Sequence, residues 1–333
     1  MMMNDGEANA IAEYVRGLAI RYKVIFVLLL LCVIAAFLSD AFLTRSNMLN
    51  IVRQISTIGI VGVGFTIILA SGNIDLSVGS MLALIGVIVA MVSKVEGMPM
   101  ILYLLVAFLL SVLCGALNAA LVNSFNIPSF VVTLSTMSVF RGLTYVITDM
   151  LPVVDIPKSL VFIGQGYLGP IPVPVVLLLI FAIIGHVLLN RTTLGRHAIA
   201  VGGNAEAARA CGISIALTRF GVYIVMGIFT GAAALIMNGR AASAQVSAGQ
   251  GMELDAVAAV VIGGTPLSGG VGNIPGTIIG CLIVGVINNM LNLANVNSNW
   301  QLIVKGVLII GAIVLDVQGE KINRTWLRRR TWR

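Results

Sequence analysis

Residues 190–213 read Asn190-Arg-Thr-Thr-Leu-Gly-Arg-His-Ala-Ile-Ala-Val-Gly-Gly-Asn-Ala-Glu-Ala-Ala-Arg-Ala-Cys-Gly-Ile213. The stretch is a polar island in an oily chain, flanked on both sides by apolar segments of membrane-spanning length. It carries Arg191, Arg196, His197, Glu206 and Arg209, charges that sit in hydrocarbon only at high cost. Its composition is too ordered for a slack linker. Leu194, Ile199, Ala200, Ala205, Ala207, Ala208, Ala210 and Ile213 give it a small apolar side. Gly202-Gly203-Asn204 supplies a turn before an Ala-rich helical stretch. The expectation is a short helix at the inner membrane face, ready to touch a soluble partner.

The surrounding composition supports that placement. Of 333 residues, 59% are hydrophobic and 10% charged, with a mean hydropathy of +1.05. Soluble domains carry about 25% charged residues. Apolar runs of roughly 20 residues mark a polytopic helical membrane protein. The net charge of +7 is therefore no nucleic-acid signal. Much of it lies in the tail, at Lys321, Arg324, Arg328, Arg329, Arg330 and Arg333, as the positive-inside rule expects beside a last span. Cys32, Cys114, Cys211 and Cys281 show no metal-ligand spacing and read as small packing residues.

The apolar runs fall at 22–42, 50–70, 77–93, 100–123, 130–148, 174–189, 216–238, 253–265, 276–293 and 299–317. That makes an all-α protein of about ten transmembrane helices, the eighth about half a membrane thick. The first run is too long for a cleavable signal. Before it, Ile11, Val15, Leu18, Ala19 and Tyr22 recur at helical spacing, so 1–21 reads as a cytoplasmic segment, either an interfacial amphipathic helix or a frayed tail. The membrane domain spans 22–317 and a basic cytoplasmic tail 318–333. With the N-terminus inside, the island and the tail both fall inside, which agrees with their arginines. The loop from Asp149 to Pro172 falls outside. Its four prolines, Pro152, Pro157, Pro170 and Pro172, are expected to stiffen it and keep it from becoming a helix.

Two segments interrupt the oil with glycine and polar residues: Ser71-Gly-Asn-Ile-Asp-Leu-Ser-Val-Gly-Ser80, and Ile262-Gly-Gly-Thr-Pro-Leu-Ser-Gly-Gly-Val271 with Gly272-Asn-Ile-Pro-Gly276. Aligned on Leu76-Ser77 and Leu267-Ser268, they share Gly72 with Gly263 and Gly79 with Gly270, which hints at a duplication. Broken helices aim helix ends and free peptide groups at a pathway. Two readings stand: hinges or lining of a translocation path (Gly72, Asp75, Leu76, Ser77, Gly79, Gly263, Gly264, Ser268, Gly269 and Gly270), or tight turns at the membrane surface. Asp75 is either a proton or ion site or, nearer an interface, a cap or a salt-bridge partner just ahead of Ser77, the expected N-cap of the third span. Asn118, Asn288 and Asn289 could bond neighbouring helices or line a polar path. Glu253 and Asp255 fit the N-terminal turn of the short eighth span. Lys305 can snorkel outward from the last span, and His186 reads as a packing or interfacial residue rather than a ligand. The glycine clusters Gly59, Gly62 and Gly64, then Gly227 and Gly231, then Gly276, Gly280 and Gly285, need only helix packing to explain them.

No Gly-x-x-x-x-Gly-Lys-Ser/Thr loop, His-Glu-x-x-His or Gly-x-Ser-x-Gly occurs, so an enzyme or an ATP-binding chain is poorly supported. What remains is a chain that moves a solute.

Three motifs now resemble one family. Ser71–Ser80, then Thr193–Asn204 with Ala207, Ala208, Gly212 and Ile213, then Leu254–Thr265 with Leu267–Gly270, look like the signatures of bacterial ABC sugar importer permeases of the ribose type. The likeness runs from about Tyr22 to Asp316. It implies a fold similar to the large-bundle importers, such as the cobalamin permease. It implies a non-enzymatic membrane subunit in the bacterial inner membrane, multi-pass with both termini cytoplasmic. The partners implied are a periplasmic sugar-binding protein, a second permease copy or paralogue, and a cytoplasmic ATPase that uses ATP and Mg and grips the island at Arg196, Gly202, Gly203, Asn204, Ala207, Ala208, Gly212 and Ile213. The chain itself would hold no cofactor and no metal. The cargo would be a monosaccharide or similar polyol. The rival is an ion-coupled secondary transporter of a small polar solute, with Asp75 as its coupling acid.

Overall fold

A computed structural model describes residues 24–297 and, beyond them, 300, 301, 303, 304, 306, 307, 310, 311 and 314. The expected N-terminal amphipathic helix, Lys305 and the basic tail lie outside the described residues. Helix α1 is Val24–Leu38. Then follow α2 Arg45–Ala70, α3 Val78–Ser93, α4 Met100–Phe125, α5 Ser129–Thr148 and α6 Lys158–Gln165. A hairpin, β1 Tyr167–Leu168 and β2 Ile171–Pro172, leads to α7 Val173–Arg191, α8 Thr193–Gly203, α9 Ala205–Ala210, α10 Ile215–Ala241, α11 Met252–Ile262 and α12 Ile274–Leu293. The described residues from 300 to 314 are helical, with Trp300, Ile303, Val307, Ile310 and Val314 exposed.

The protein is a polytopic helical membrane protein. Six described helices, α2, α4, α5, α7, α10 and α12, are long and apolar enough to cross a membrane, whereas α1 and α3 are shorter apolar helices. The apolar runs expected from the sequence fall on helices among the described residues, and six of those helices have the length and composition of a crossing. The short eighth run is the 11-residue α11.

Helix α2 is the centre of the bundle, apolar on all sides and buried from Ile55 to Ala70, as an interior helix must be. Close approach is bought by small residues. Gly62 faces Cys281 and Thr277 of α12, Gly64 faces Met226 and Phe229 of α10, and Gly59 faces Leu178 of α7. Along α4 the buried stripe is Tyr103, Ala107, Ser111, Cys114, Asn118 and Val122. It lies on α10, with Gly227 and Gly231 against Ser111 and Gly115 against the Tyr223 backbone. A hydroxyl bond between Thr66 and Thr277 (2.7 Å) and a reciprocal amide pair between Asn47 and Asn289 (3.0 and 2.7 Å) fix α2 and α12 as antiparallel neighbours. Such polar pairs hold membrane helices together by about 0.6–2 kcal/mol each.

The two ends of the bundle differ. At one end lie α8 and α9, the C-terminus of α2 and the turn before α12. At the other lie α6, the hairpin and the C-terminus of α10, joined by Arg53 donating to Gln165 O (3.2 Å) and Gln165 donating to Arg240 O (3.1 Å). The loop expected to stay free of helix contains one. Proline forbids helix interiors, not helix starts; Pro157 is the N-cap of α6, and the segment can turn helical immediately after it.

Candidate functional site: the latch of the polar island

The island folds as two short helices, each started by its own side-chain cap. Thr192 Oγ1 accepts from Gly195 N (3.3 Å), Asn204 Oδ1 from Ala207 N (3.0 Å), and Ser214 Oγ from Leu217 N (3.4 Å) at the start of α10. The expected turn at Gly202-Gly203-Asn204 is narrower than anticipated. Gly202 and Gly203 end α8, and the break falls at Asn204 alone, where φ is −160° and ψ 104°.

The side that faces inward is Gly195, Ala198, Val201 and Ala208; the outer side exposes Arg196, His197, Gly203, Asn204, Glu206, Ala207, Arg209 and Gly212. Ile213 is half-buried. Ala208, expected to face a partner, is 5% exposed and packs against the bundle. The exposed ion pair of Glu206 and Arg209 (3.5 Å) adds little stability.

The island touches both interrupted segments at one point. Gly270 N donates to Ala70 O (2.9 Å), and Gly202 lies directly over that bond. A Cβ on Gly202 would overlap the Ala70 carbonyl oxygen and stand 2.7 Å from Gly270 N. A Cβ on Gly269 would stand 2.9 Å from Gly72 Cα, and one on Gly270 2.9 Å from Gly203 Cα. Gly72, Gly269 and Gly270 have φ of +73°, +81° and +78°, a region that suits glycine. Three segments far apart in sequence thus meet backbone to backbone.

Not every expected residue joins this latch. Gly263 packs on Gly276, Gly264 and Ser268 are exposed, and Leu76 is half-buried. Gly79 instead meets the backbone of Gly249. Gly79 and Gly270, matched in the proposed duplication, therefore sit in different environments.

Asp75 is fully buried and closes the turn before α3. Its Oδ1 accepts from Ser77 N (2.9 Å) and Ser77 Oγ (2.6 Å). Asn118 Nδ2 donates to Ser77 Oγ (2.9 Å) and, weakly, to both carboxylate oxygens (3.5 and 3.4 Å). Thr136 Oγ1 donates to Asn118 Oδ1 (2.7 Å). Burial pushes the Asp75 carboxyl above its ordinary value, and the bonds from Ser77 and Asn118 pull it back down. Ser77 is the N-cap of α3, as expected, but its side chain makes no cap bond; its hydroxyl donates to the carboxylate instead, because a charged acceptor makes the stronger bond. Beside it, Tyr223 Oη donates to Ile74 O (3.2 Å) and Ile74 N donates to Ser129 Oγ (3.2 Å). Asn118 and Asn289 are committed to helix contacts. Asn288 is buried with its Oδ1 unpaired.

One residue that sequence reading passed over stands out. Arg141 on α5 donates through Nη1 to Val246 O (2.6 Å) and Ala248 O (3.0 Å), and through Nη2 to Ala248 O (3.0 Å). It satisfies the irregular backbone between α10 and α11, which apolar surroundings would otherwise penalise. The signal was a lone arginine in an apolar run.

A membrane bundle with interrupted helices latched to an exposed polar segment has the build of a transport permease. The chain belongs to the family described as branched-chain amino acid transport system / permease component, which matches residues 47–313. The ribose import permease protein of Bacillus subtilis is 41% identical over 291 residues, 87% of this chain and 90% of that one. That of Haemophilus influenzae is 38% identical over 320 residues, 95% and 98% of the two chains. The D-allose transport system permease protein of Escherichia coli is 39% identical over 299 residues, 89% and 91%. No solved structure matches the chain.

Proposed function

We propose that the chain is the membrane permease subunit of an ATP-driven importer in the bacterial inner membrane, and that its cargo is a monosaccharide or similar polyol. The observation that carries this reading is the likeness along nearly the whole chain to ribose and D-allose permeases at 38–41% identity. The matching family is described by amino-acid transport, but these relatives carry sugar names. Hydrolysis of ATP with Mg falls to a separate cytoplasmic ATPase. A periplasmic sugar-binding protein delivers the cargo to the end that holds α6 and the hairpin. A second copy, or a paralogue, completes the pathway. About ten crossings in one membrane domain, with both termini cytoplasmic, fit this arrangement, because they put the arginine-rich island and tail on the ATPase side.

The latch suggests how force would enter. An ATPase that moves α8 and α9 also moves Gly202, and with it the Ala70–Gly270 bond that ties the two interrupted segments together. The outer face of the island, not Ala208, is the surface to test. Tagged protein is extracted in mild detergent and its partners are identified by mass spectrometry, comparing wild type with Ala207→Glu plus Arg209→Glu. An ATPase that accompanies wild type and is lost from the variant is the expected result. No ATPase with wild type, together with solute uptake by the lone chain under an ion gradient, would overturn the reading.

A further inference from the structure

Between α3, α5 and the start of α11 lies a cavity of about 500 Å³, lined by Ser80, Met137, Ser138, Arg141, Gly142, Tyr145, Gln250 and Glu253. Small-molecule sites run from about 300 to 1,000 Å³. Arg141 is the thirteenth of the twenty residues of α5, so it lies about 18 Å along a membrane-spanning helix from Ser129 at 1.5 Å per residue. Charged side chains at such positions face a polar cavity or a partner. Here two of opposite sign line the same cavity, yet they do not close on each other as an ion pair among the described residues.

We propose that this cavity is a transit site for a neutral polyhydroxylated solute. The proposal rests on the importer reading and adds a place and a chemistry to it. Of the five N–H groups of a guanidinium, Arg141 commits three bonds to Val246 and Ala248, so two N–H groups remain to donate. Glu253 supplies acceptors. A sugar hydroxyl both donates and accepts, so adjacent hydroxyls can bridge the two charges. Ser138, Ser80, Tyr145 and Gln250 add polar groups to the lining, the two serine hydroxyls donating to Leu134 O and Ser77 O and keeping their oxygens as acceptors, and Tyr145 and Met137 offer apolar surface to the C–H face of a ring. One positive and one negative side chain balance, which disfavours a charged solute relative to a neutral one. Nothing in the cavity is built for tight capture, since Arg141 already spends most of its donors on the backbone. That suits a site a solute must leave.

The same cavity joins moving parts. Gln250 and Glu253 flank Gly251, which has φ of +78°, and the neighbouring Gly249 lies against Gly79 at the foot of α3. A displacement of α3 relative to the 242–251 segment would change the cavity's mouth.

The test is protection of a cysteine placed in the cavity. Ser138→Cys is introduced into the full chain in membranes that also hold its partners. Modification by a water-soluble thiol reagent is read at position 138 by peptide mass spectrometry, which keeps the exposed Cys211 out of the signal. The probes are D-ribose, D-allose and D-xylose, with lysine and glutamate as charged controls. At least one sugar should slow modification, by about 11-fold when present at ten times its Kd, and the charged controls should not. In the same background Glu253→Gln and Tyr145→Phe should weaken protection, read for each variant as the ratio of its own rates with and without sugar.

A position 138 that is never modified, a rate indifferent to all three sugars, or protection indifferent to Glu253→Gln overturns the site. ATP-dependent uptake of the same sugars by the unsubstituted chain separates the two ideas. Uptake without protection removes the site and leaves the importer. Protection without uptake keeps the site and removes the importer. Absence of both removes both.

Discussion

Gly202 and Asp75 show how much single positions carry. Gly202 has no room for a methyl group, because backbone atoms of Ala70 and Gly270 occupy the space, and backbone cannot rotate away as a side chain can. Gly202→Ala should cost about 1–3 kcal/mol, the range for overpacking, and weaken the Ala70–Gly270 bond. The check is the thermal midpoint in detergent, alongside uptake. Asp75 accepts from two groups on Ser77. Asp75→Ala strands those buried donors and should destabilise by about 1–3 kcal/mol, whereas Asp75→Asn keeps one acceptor oxygen and should cost less. Neither variant should change the dependence of uptake on an ion gradient. A switch from gradient-dependent to gradient-independent uptake in Asp75→Asn would instead make it the coupling acid of a secondary transporter.

At the scale of elements, the island works because each of its short helices is capped. A helix of six residues such as α9 is too short to hold itself in water, so its start depends on Asn204. Asn204→Ala should cost about 1 kcal/mol and loosen α9, and Asn204→Asp, which can still accept from Ala207 N, should retain it. Limited proteolysis at Arg209 reads the difference: faster cleavage in the Ala variant only. Helix α11 makes the complementary point. It follows the irregular stretch 242–251, whose backbone is satisfied by Arg141 and the Val153–Ala244 bridge. Asp75-Leu76-Ser77 and Glu253-Leu254-Asp255 each open one of the short helices, α3 and α11. Of these acids only Glu253 reaches the cavity, while Asp75 is bonded to Ser77 and Asn118.

At the scale of the molecule, the two ends of the bundle should face opposite sides of the membrane. Cys211 is exposed on the island, and Asp155 lies in the loop before α6. An impermeant thiol reagent should label Cys211 in inside-out vesicles only, and an Asp155→Cys variant in right-side-out vesicles only; labelling of both from one side would refute the orientation. The long apolar helices, the polar island and the positions of both interruptions were legible in the chain, because hydropathy and turn chemistry are local and one-dimensional; the short α6 was not. Contacts were not. That Gly72, Gly202 and Gly270 meet at one point, that Ala208 faces inward, that Asn118 and Asn289 are spent on helix packing, and that Arg141 and Glu253 share a cavity all depend on the rotation and depth of helices far apart in sequence. In an all-apolar helix periodicity does not reveal which face is inward, so only packing in three dimensions assigns those partners.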